Sequence, residues 1–339
     1  MPVPPAPSCP PSPLADFLST LGADPAVIAA LATHRVPGRV TRAERGGALV
    51  ATLPGEVATP YAEVTVGDWV TLRAGVIDGV LPRRGTIVRA DPGGRSSSRV
   101  LAANVDTVLI CTPLCADPPA RRLERLLSLA WGSTATPVLV ATKADLSEAA
   151  LEPLRRLAPG VAVVRTAPDD VGGLSPYVGP GRTVALLGAS GVGKSTLANA
   201  LLRQDVLATR PIRADGKGRH TTSWRQLVAL PAGGALIDTP GLRGVGLAAG
   251  DADGVSLAFA DVADLATGCR FRDCSHDSEP GCAVSGAVDA GVLDAQRVRS
   301  HRRLQREVEW QTAKNDARLR AERNRRGRAV TQEHRQRGR

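Results

Sequence analysis

The residues best placed to do chemistry form four short clusters. The first is Gly188-Ala189-Ser190-Gly191-Val192-Gly193-Lys194-Ser195-Thr196. Glycines at this spacing let the backbone wrap around phosphates with its N–H groups inward, Lys194 reaches the β and γ oxygens, and the Ser195 hydroxyl is a Mg²⁺ ligand. The flanks agree, because Thr183–Leu187 (TVALL) reads as a buried strand and Ser195–Leu202 (STLANALL) as a helix. The second cluster, Asp238-Thr239-Pro240-Gly241, follows the apolar stretch Gly234–Ile237. At a strand end Asp238 can hold Mg²⁺ through water, while the Gly241 N–H senses a γ-phosphate. Between the two lies Gly218-Arg219-His220-Thr221-Thr222, in a stretch of weak periodicity. A threonine there suits a loop ordered by the metal and the γ-phosphate; Thr221 and Thr222 serve equally well in that role.

The third cluster, Thr142-Lys143-Ala144-Asp145, ends the apolar run Pro137–Ala141. The Asp145 carboxylate can accept from the N1–H and exocyclic amine of guanine, and Lys143 can lie along the base plane. Adenine offers neither donor, so ATP would leave a buried carboxylate unpaired; the motif selects GTP. Thr166-Ala167, after the strand-like Val161–Val164, is a weaker motif for a backbone contact to the guanine carbonyl. The base-reading motif precedes the phosphate loop in the chain, the reverse of an ordinary GTPase, and this order predicts a circularly permuted one.

The fourth cluster is Cys269-x4-Cys274-x-His276-x5-Cys282. Three thiolates and an imidazole close a tetrahedral shell with no position left for water, so one structural zinc is expected. Cys9, Cys111 and Cys115 read as ordinary small apolar residues.

These clusters need a scaffold. Strands expected at Val105–Ile110, Pro137–Ala141, Val161–Val164, Thr183–Leu187, Gln226–Leu230 and Gly234–Ile237, with helices such as Arg121–Trp131 between them, describe a mostly parallel α/β sheet with its ligand at the carboxyl ends of the strands. From Gly38 to Arg89, short β-rich pieces (GRVTRA, ALVATL, EVTV, DWVTLR, TIVRA) broken by Gly, Pro and Asp suggest a small barrel. Its aromatics are Tyr61 and Trp69, the latter suited to the core more than to base stacking.

Taken together, the chain resembles the ribosome small-subunit-dependent GTPases of the RsgA or YjeQ family from about Arg39 to about Val308. The residues that carry the likeness are Gly67-Asp68-Trp69-Val70, Ala103-Asn104-Val105-Asp106, Thr142–Asp145, Gly188–Thr196, Arg219–Thr222, Asp238–Gly241, and Cys269–His276 with Glu279–Val284. The resemblance implies an N-terminal OB-fold barrel, a permuted P-loop GTPase core, a zinc-binding helical C-terminal domain, and a role in late maturation of the small ribosomal subunit. The expected division is a Pro-rich tail with a short helical extension at 1–35, the barrel at 36–93, the GTPase core at 94–257, and the zinc-binding domain with a basic tail at 258–339.

Charge supports an RNA partner. From Arg297 to Arg339 there are 15 Lys+Arg against 5 Asp+Glu, a surplus equal to the +10 of the whole chain. That segment should be helical from Leu293 to about Arg325, with a basic end suited to rRNA phosphates. The arginine bias (39 Arg against 4 Lys) also fits a simple compositional preference. The proline-rich start is unlike a signal peptide, and no apolar run is long enough to span a bilayer, so a cytoplasmic monomer without membrane contact is expected. Leu242 stands where Ras-type enzymes carry a water-orienting glutamine, which predicts slow intrinsic hydrolysis; His220 is the nearest substitute and equally reads as a loop residue. Gly191 is not the asparagine of potassium-activated P-loops. Two other classes remain: a nucleotide-gated RNA-binding assembly factor in which hydrolysis is incidental, and a P-loop ATPase or kinase.

Overall fold

The computed structural model describes residues 12–31, 36–44, 46–60, 63–90, 98–204, 226–238, 246–277 and 279–315. It opens with α1 (Pro13–Thr20), capped by the Ser12 hydroxyl, which accepts from Ala15 N at 3.2 Å, and α2 (Pro25–Leu31), where Asp24 Oδ1 accepts from Val27 N at 2.8 Å. A proline at the first position of each helix costs no hydrogen bond and presets φ.

The next strands are antiparallel: β1 (Val36–Glu44), β2 (Gly47–Thr52), β3 (Gly55–Pro60), β4 (Trp69–Arg73) and β5 (Val76–Val80). Strand β1 pairs with both β2 and β4, β2 continues to β3, β4 to β5, and β3 approaches β5. Alternate side chains of β2 point inward, so Ala48 and Val50 join Val40, Val70 and Leu72 in a small barrel core. This is the expected barrel, with one difference in detail. Glu63–Val66 (EVTV) is not a strand, because Asp68 Oδ2 accepts from Thr65 N at 2.8 Å while Asp68 N returns to Thr65 O at 3.1 Å; a side-chain-closed turn replaces the ladder. The strands that sequence reading missed are β3, β5 and β7 (Ser98–Ala102). The piece expected as TIVRA becomes β6 (Ile87–Ala90), which pairs with β7 in a separate two-stranded sheet.

The α/β core follows as β8 (Thr107–Pro113), α3 (Ala120–Gly132), β9 (Thr136–Thr142), α4 (Glu152–Leu157), β10 (Ala162–Arg165), β11 (Thr183–Leu187), α5 (Lys194–Leu202), β12 (Gln226–Ala229) and β13 (Ala235–Asp238). In space the order is β10-β9-β8-β11-β13-β12, parallel except for the antiparallel β12. Strand β11 is buried along its whole length, as its unbroken apolar run requires for a strand covered on both faces. Arg42 of β1 pairs with Gln226 of β12, so barrel and core share one sheet.

The last described elements are α6 (Ala252–Ala258), α7 (Ala260–Ala266), α8 (Ala283–Asp289) and α9 (Ala295–Asn315). Helix α6 crosses α3 closely at Gly254, where a Cβ would overlap the Ser128 carbonyl and meet Gly132 N at 2.5 Å. Helix α9 covers the first part of the expected C-terminal helix; the basic tail beyond it lies outside the described residues.

Two buried arginines join the parts. Arg39 of β1 stacks on Trp69, its guanidinium carbon 4.4 Å from the ring centroid, and donates to Leu21 O, to Gly67 O at 3.2 Å, to Asn104 O at 3.1 Å and to Thr183 Oγ1 at 2.7 Å. Trp69 is therefore core, 2% exposed. Arg297 of α9 holds Asp261 at 2.5 and 2.8 Å, Glu124 of α3 at 3.3 Å, Leu157 O at 3.2 Å and Ala258 O at 2.9 Å. Among the described residues no helix is long and apolar enough to cross a membrane.

Candidate functional site

The parallel strands bring their carboxyl ends to one edge, where Gly188–Thr196, Asp238 and Thr142–Asp145 lie. Gly188 follows β11 with φ +147°, and a Cβ on it would stand 2.6 Å from the Cys111 carbonyl of β8, so only glycine lets the loop leave the sheet at this point. Gly191 (φ +78°) and Gly193 (φ +97°) complete the turn into α5, whose first residues are Lys194, Ser195 and Thr196. The helix N-terminus thus faces the loop, with its free N–H groups and positive dipole end.

The Lys194 ammonium folds back over the loop, donating to Gly188 O at 2.9 Å and to Ala189 O at 2.5 Å. Burial lowers its pKa, against the pull of Cys111 and Asp238. Asp238, at the end of β13 and 8% exposed, is raised by burial against the opposing charge of Lys194. Among the described residues, Lys194 is held by two neutral carbonyls and faces only the partial counter-charge of Asp238. An anion beside Lys194 and a cation beside Asp238 would relieve the desolvation cost of each, and a metal-bound polyphosphate supplies the two together. Ser195 and Asp238 are the described donors suited to Mg²⁺.

The base-reading motif is tied to this loop. Thr142 Oγ1 lies 2.5 Å from Val192 O and 3.0 Å from Thr112 O, with one proton to share between the two carbonyls. Lys143 takes the left-handed conformation (φ +57°), turning the chain sharply into the 3-10 turn Ala144–Leu146, on which Asp145 is exposed. Ala144 N donates to Thr166 O at 3.1 Å and Thr166 N to Ala141 O at 2.9 Å, while Ala167 N donates to Asp170 O at 2.9 Å. The weak Thr166-Ala167 motif therefore sits against the strong one. The hydroxyl of Thr142 as a bridge between base loop and phosphate loop is visible only in the structure. His220, Thr221, Thr222 and Gly241 lie outside the described residues.

The metal cluster forms beside α9, the His276 ring centroid lying 6.5 Å from that of His301. The ligand atoms of Cys269, Cys274, His276 and Cys282 all lie within 4.8 Å of one another. Cys269 Sγ is 3.9 Å from Cys282 Sγ, and His276 Nδ1 is 3.7 and 3.6 Å from those two sulfurs. A tetrahedral metal with bonds of about 2.0–2.3 Å sets its ligands about 3.5–3.8 Å apart, close to the spacing of the Cys269, Cys282 and His276 donors, so the cluster could hold a metal ion. Burial opposes ionisation of Cys282, but hydrogen bonds from Ser285 and His276 outweigh it and hold the thiol below its ordinary value. Glu279, which the sequence reading placed among the residues carrying the family likeness but gave no role, organises the loop: its carboxylate accepts from Ser275 N (2.9 Å), Ser275 Oγ (2.5 Å) and Asp277 N (2.9 Å). Those bonds hold its pKa far below the usual carboxylate range.

The profile of the RsgA GTPase family matches residues 80–248. The chain is 46% identical over 310 residues to the small ribosomal subunit biogenesis GTPase RsgA of Streptomyces coelicolor, covering 85% of this chain and 84% of that protein. It is 44% identical over 283 residues to the RsgA 2 protein of Lactiplantibacillus plantarum, covering 80% and 79%. Among solved structures, YjeQ from Thermotoga maritima superposes with a TM-score of 0.59 at 25% identity, covering 81% of this chain and 99% of that one. YloQ, a circularly permuted GTPase, does so with a TM-score of 0.56 at 21% identity, covering 82% and 96%, and shows the fold alone. The order of its motifs, the sheet that unites them and these likenesses agree: the chain belongs to the RsgA family of circularly permuted GTPases.

Proposed function

We propose that the protein hydrolyses GTP while bound to the small ribosomal subunit, during late maturation of that particle, and that the subunit accelerates hydrolysis. The observation that carries the chemistry is the buried Lys194–Asp238 site at the strand ends, joined through Thr142 to the Asp145 turn. The observation that carries the partner is the name shared by relatives covering most of the chain, small ribosomal subunit biogenesis GTPase.

In this reading Gly188–Thr196 wraps the phosphates, and Lys194 leaves its two loop carbonyls for the β and γ oxygens as the nucleotide enters. Ser195, Asp238 and one of Thr221 or Thr222 hold Mg²⁺, which when bound offsets the charge on the transferring phosphoryl group. Lys143, Asp145 and the Thr166-Ala167 backbone take the guanine, and Gly241 N–H meets the γ-phosphate. His220 positions the attacking water in place of the glutamine that Leu242 displaces. Cys269, Cys274, His276 and Cys282 hold one structural zinc. The functional division is 1–35, 36–93, 94–257 and 258–339, with the barrel, the zinc-binding region and the basic tail meeting rRNA in a monomeric, cytoplasmic protein.

The test is GTP turnover by the purified protein with and without small subunits. Stimulation of at least tenfold supports the reading. GTP-independent subunit binding with no stimulation favours an assembly factor in which hydrolysis is incidental, and equal use of ATP sinks the guanine assignment.

A further inference from the structure

A chain that stacks RNA bases on aromatic rings needs those rings exposed, and this one has few aromatics of any kind: 4 Trp, 3 Phe and 2 Tyr in 339 residues. The barrel, where stacking would be sought first, offers none among its described residues because Trp69 is sealed beneath Arg39. Among the described residues the large aromatics left substantially exposed are Phe271, at 43%, and Trp310, at 42%. Both lie in the C-terminal region.

Phe271 sits between Arg270 and Arg272, all three exposed, within the Cys269–Cys274 loop. The Arg270 guanidinium carbon is 5.5 Å from the Phe271 ring centroid. The loop is braced on each side of the ring: Arg270 N donates to Gly281 O at 3.1 Å, Cys274 N to Phe271 O at 3.4 Å, and Glu279 closes the turn that follows. A phenylalanine left 43% exposed on a braced loop forgoes less than half of a burial worth about 1.5–3 kcal/mol in full, a cost that a stacked base would recover.

Helix α9 extends this surface. Arg302 reaches Asp277 of the metal loop at 2.7 Å, which docks the helix's first half against the loop. At about 100° per residue, Arg299, Arg303, Arg306 and Trp310 fall within about 60° of one another on one helix face, and all four are exposed. Among the described residues none of those three arginines forms an ion pair. The result is a row of guanidiniums, spaced by helical turns of about 5.4 Å, on the helix that Arg302 ties to the loop carrying the exposed phenylalanine. Arg306 is close enough to add to Arg302 in lowering the pKa of Asp277 in that loop. Phosphates of a single strand repeat at a comparable interval, and duplex RNA offers no free base face to the ring.

From this juxtaposition we propose that the Cys269–Cys282 loop and the outer face of α9 form one binding surface for single-stranded RNA, in which Phe271 stacks on an unpaired base and Arg299, Arg303 and Arg306 hold the adjoining backbone. The proposal deepens the functional reading given above and rests on it for the choice of RNA as the polyanion.

The experiment uses the full-length, metal-loaded protein and a fluorescent 12-nucleotide oligouridine, with affinity read by anisotropy at several salt concentrations. Phe271→Ala and Phe271→Leu should each weaken binding by about 5- to 100-fold with the salt slope unchanged, since they remove a stack and no charge, while Phe271→Trp stays near the parent. Arg303→Ala/Arg306→Ala should instead reduce the slope of log K against log salt by about 1.4, two phosphates' worth. Metal content and unstimulated GTP turnover should match the parent in every variant. The inference is overturned if Phe271→Leu, with metal retained, binds oligouridine within twofold of the parent, or if it loses as much affinity for a sulfated polysaccharide, which has no bases. A protein that shows subunit-stimulated turnover yet fails this test loses the stacking surface alone; one that binds the oligomer as stated but shows no stimulation loses the functional reading instead.

Discussion

Asp145 is exposed on its turn, yet it is the carboxylate of the base-reading motif, so guanine selectivity should rest on it. Asp145→Asn is expected to weaken GTP about 10- to 100-fold, the worth of one or two hydrogen bonds to a charged acceptor, and to favour xanthosine triphosphate, whose ring carries a carbonyl in place of the amine. Nucleotide competition checks this, and an unchanged GTP preference would remove the motif from the site. A second carboxylate shows the opposite environment. Asp251, 5% exposed, accepts from Ala248 N at 2.6 Å, but burial, aided by the nearby charge of Glu307, raises its pKa to about 6. The folded state thus holds a proton that the unfolded chain releases near pH 4, so stability falls as pH rises from about 4 to 6. Asp251→Asn keeps the acceptor and has no proton to lose; its melting midpoint should vary less over that window than the parent's. That Gly188–Thr196 forms a strand-to-helix loop and that Thr142–Asp145 ends a neighbouring strand was legible in sequence, because glycines and apolar runs at these spacings leave few other local structures. Thr142's bond to Val192 and the caging of Glu279 were not, since each depends on a contact made only after folding.

At the level of elements, strands with one unbroken apolar run were the easiest to read, β11 and β9 within about a residue of expectation, because burial on both faces leaves no other use for such a run. The barrel was harder. Its strands are short and half polar, so a turn closed by Asp68 looked like a strand, and β5 (VIDGV), exposed at alternate positions, did not. The metal loop reverses this relation between pattern and fold: it has almost no core of its own, and its four ligands announce it. Metal affinity there becomes local folding energy. Cys274→Ser, or chelation, should open the segment from Cys269 to Cys282 to proteolysis and hydrogen exchange while GTP affinity stays within about twofold, because the nucleotide site draws no ligand from it. Freshly purified protein lacking about one equivalent of zinc would contradict that account.

Across the whole molecule, cohesion depends on charged groups placed where apolar ones would pack as well. Arg39 ties α1, the barrel and the phosphate-loop strand β11 together, and it stays charged at neutral pH although burial lowers its pKa to about 9. Arg297 does the same at the other end, fastening α9 to α3, α4, α6 and α7, with its guanidinium carbon 4.7 Å from the Phe259 ring centroid. Glu124, 2% exposed, is the partner with most at stake, since burial raises its pKa and Arg297 pulls it back down. Removing only the cation strands a buried carboxylate. Arg297→Met should therefore cost about 3–5 kcal/mol in urea unfolding, whereas Arg297→Met/Glu124→Leu should recover at least 1 kcal/mol of that loss, a coupling no independent pair would show. The sign of the pH response distinguishes this from simple loss of packing. With Arg297 gone the Glu124 pKa rises further in the folded state, so the single variant should regain stability relative to the parent as pH falls from 7 to 5, and the double variant should not. Equal pH profiles for the two variants would mean that Arg297 acts through its carbonyl contacts and ring stacking, and that the joint between α9 and the GTPase core is a packed surface rather than a charge pair.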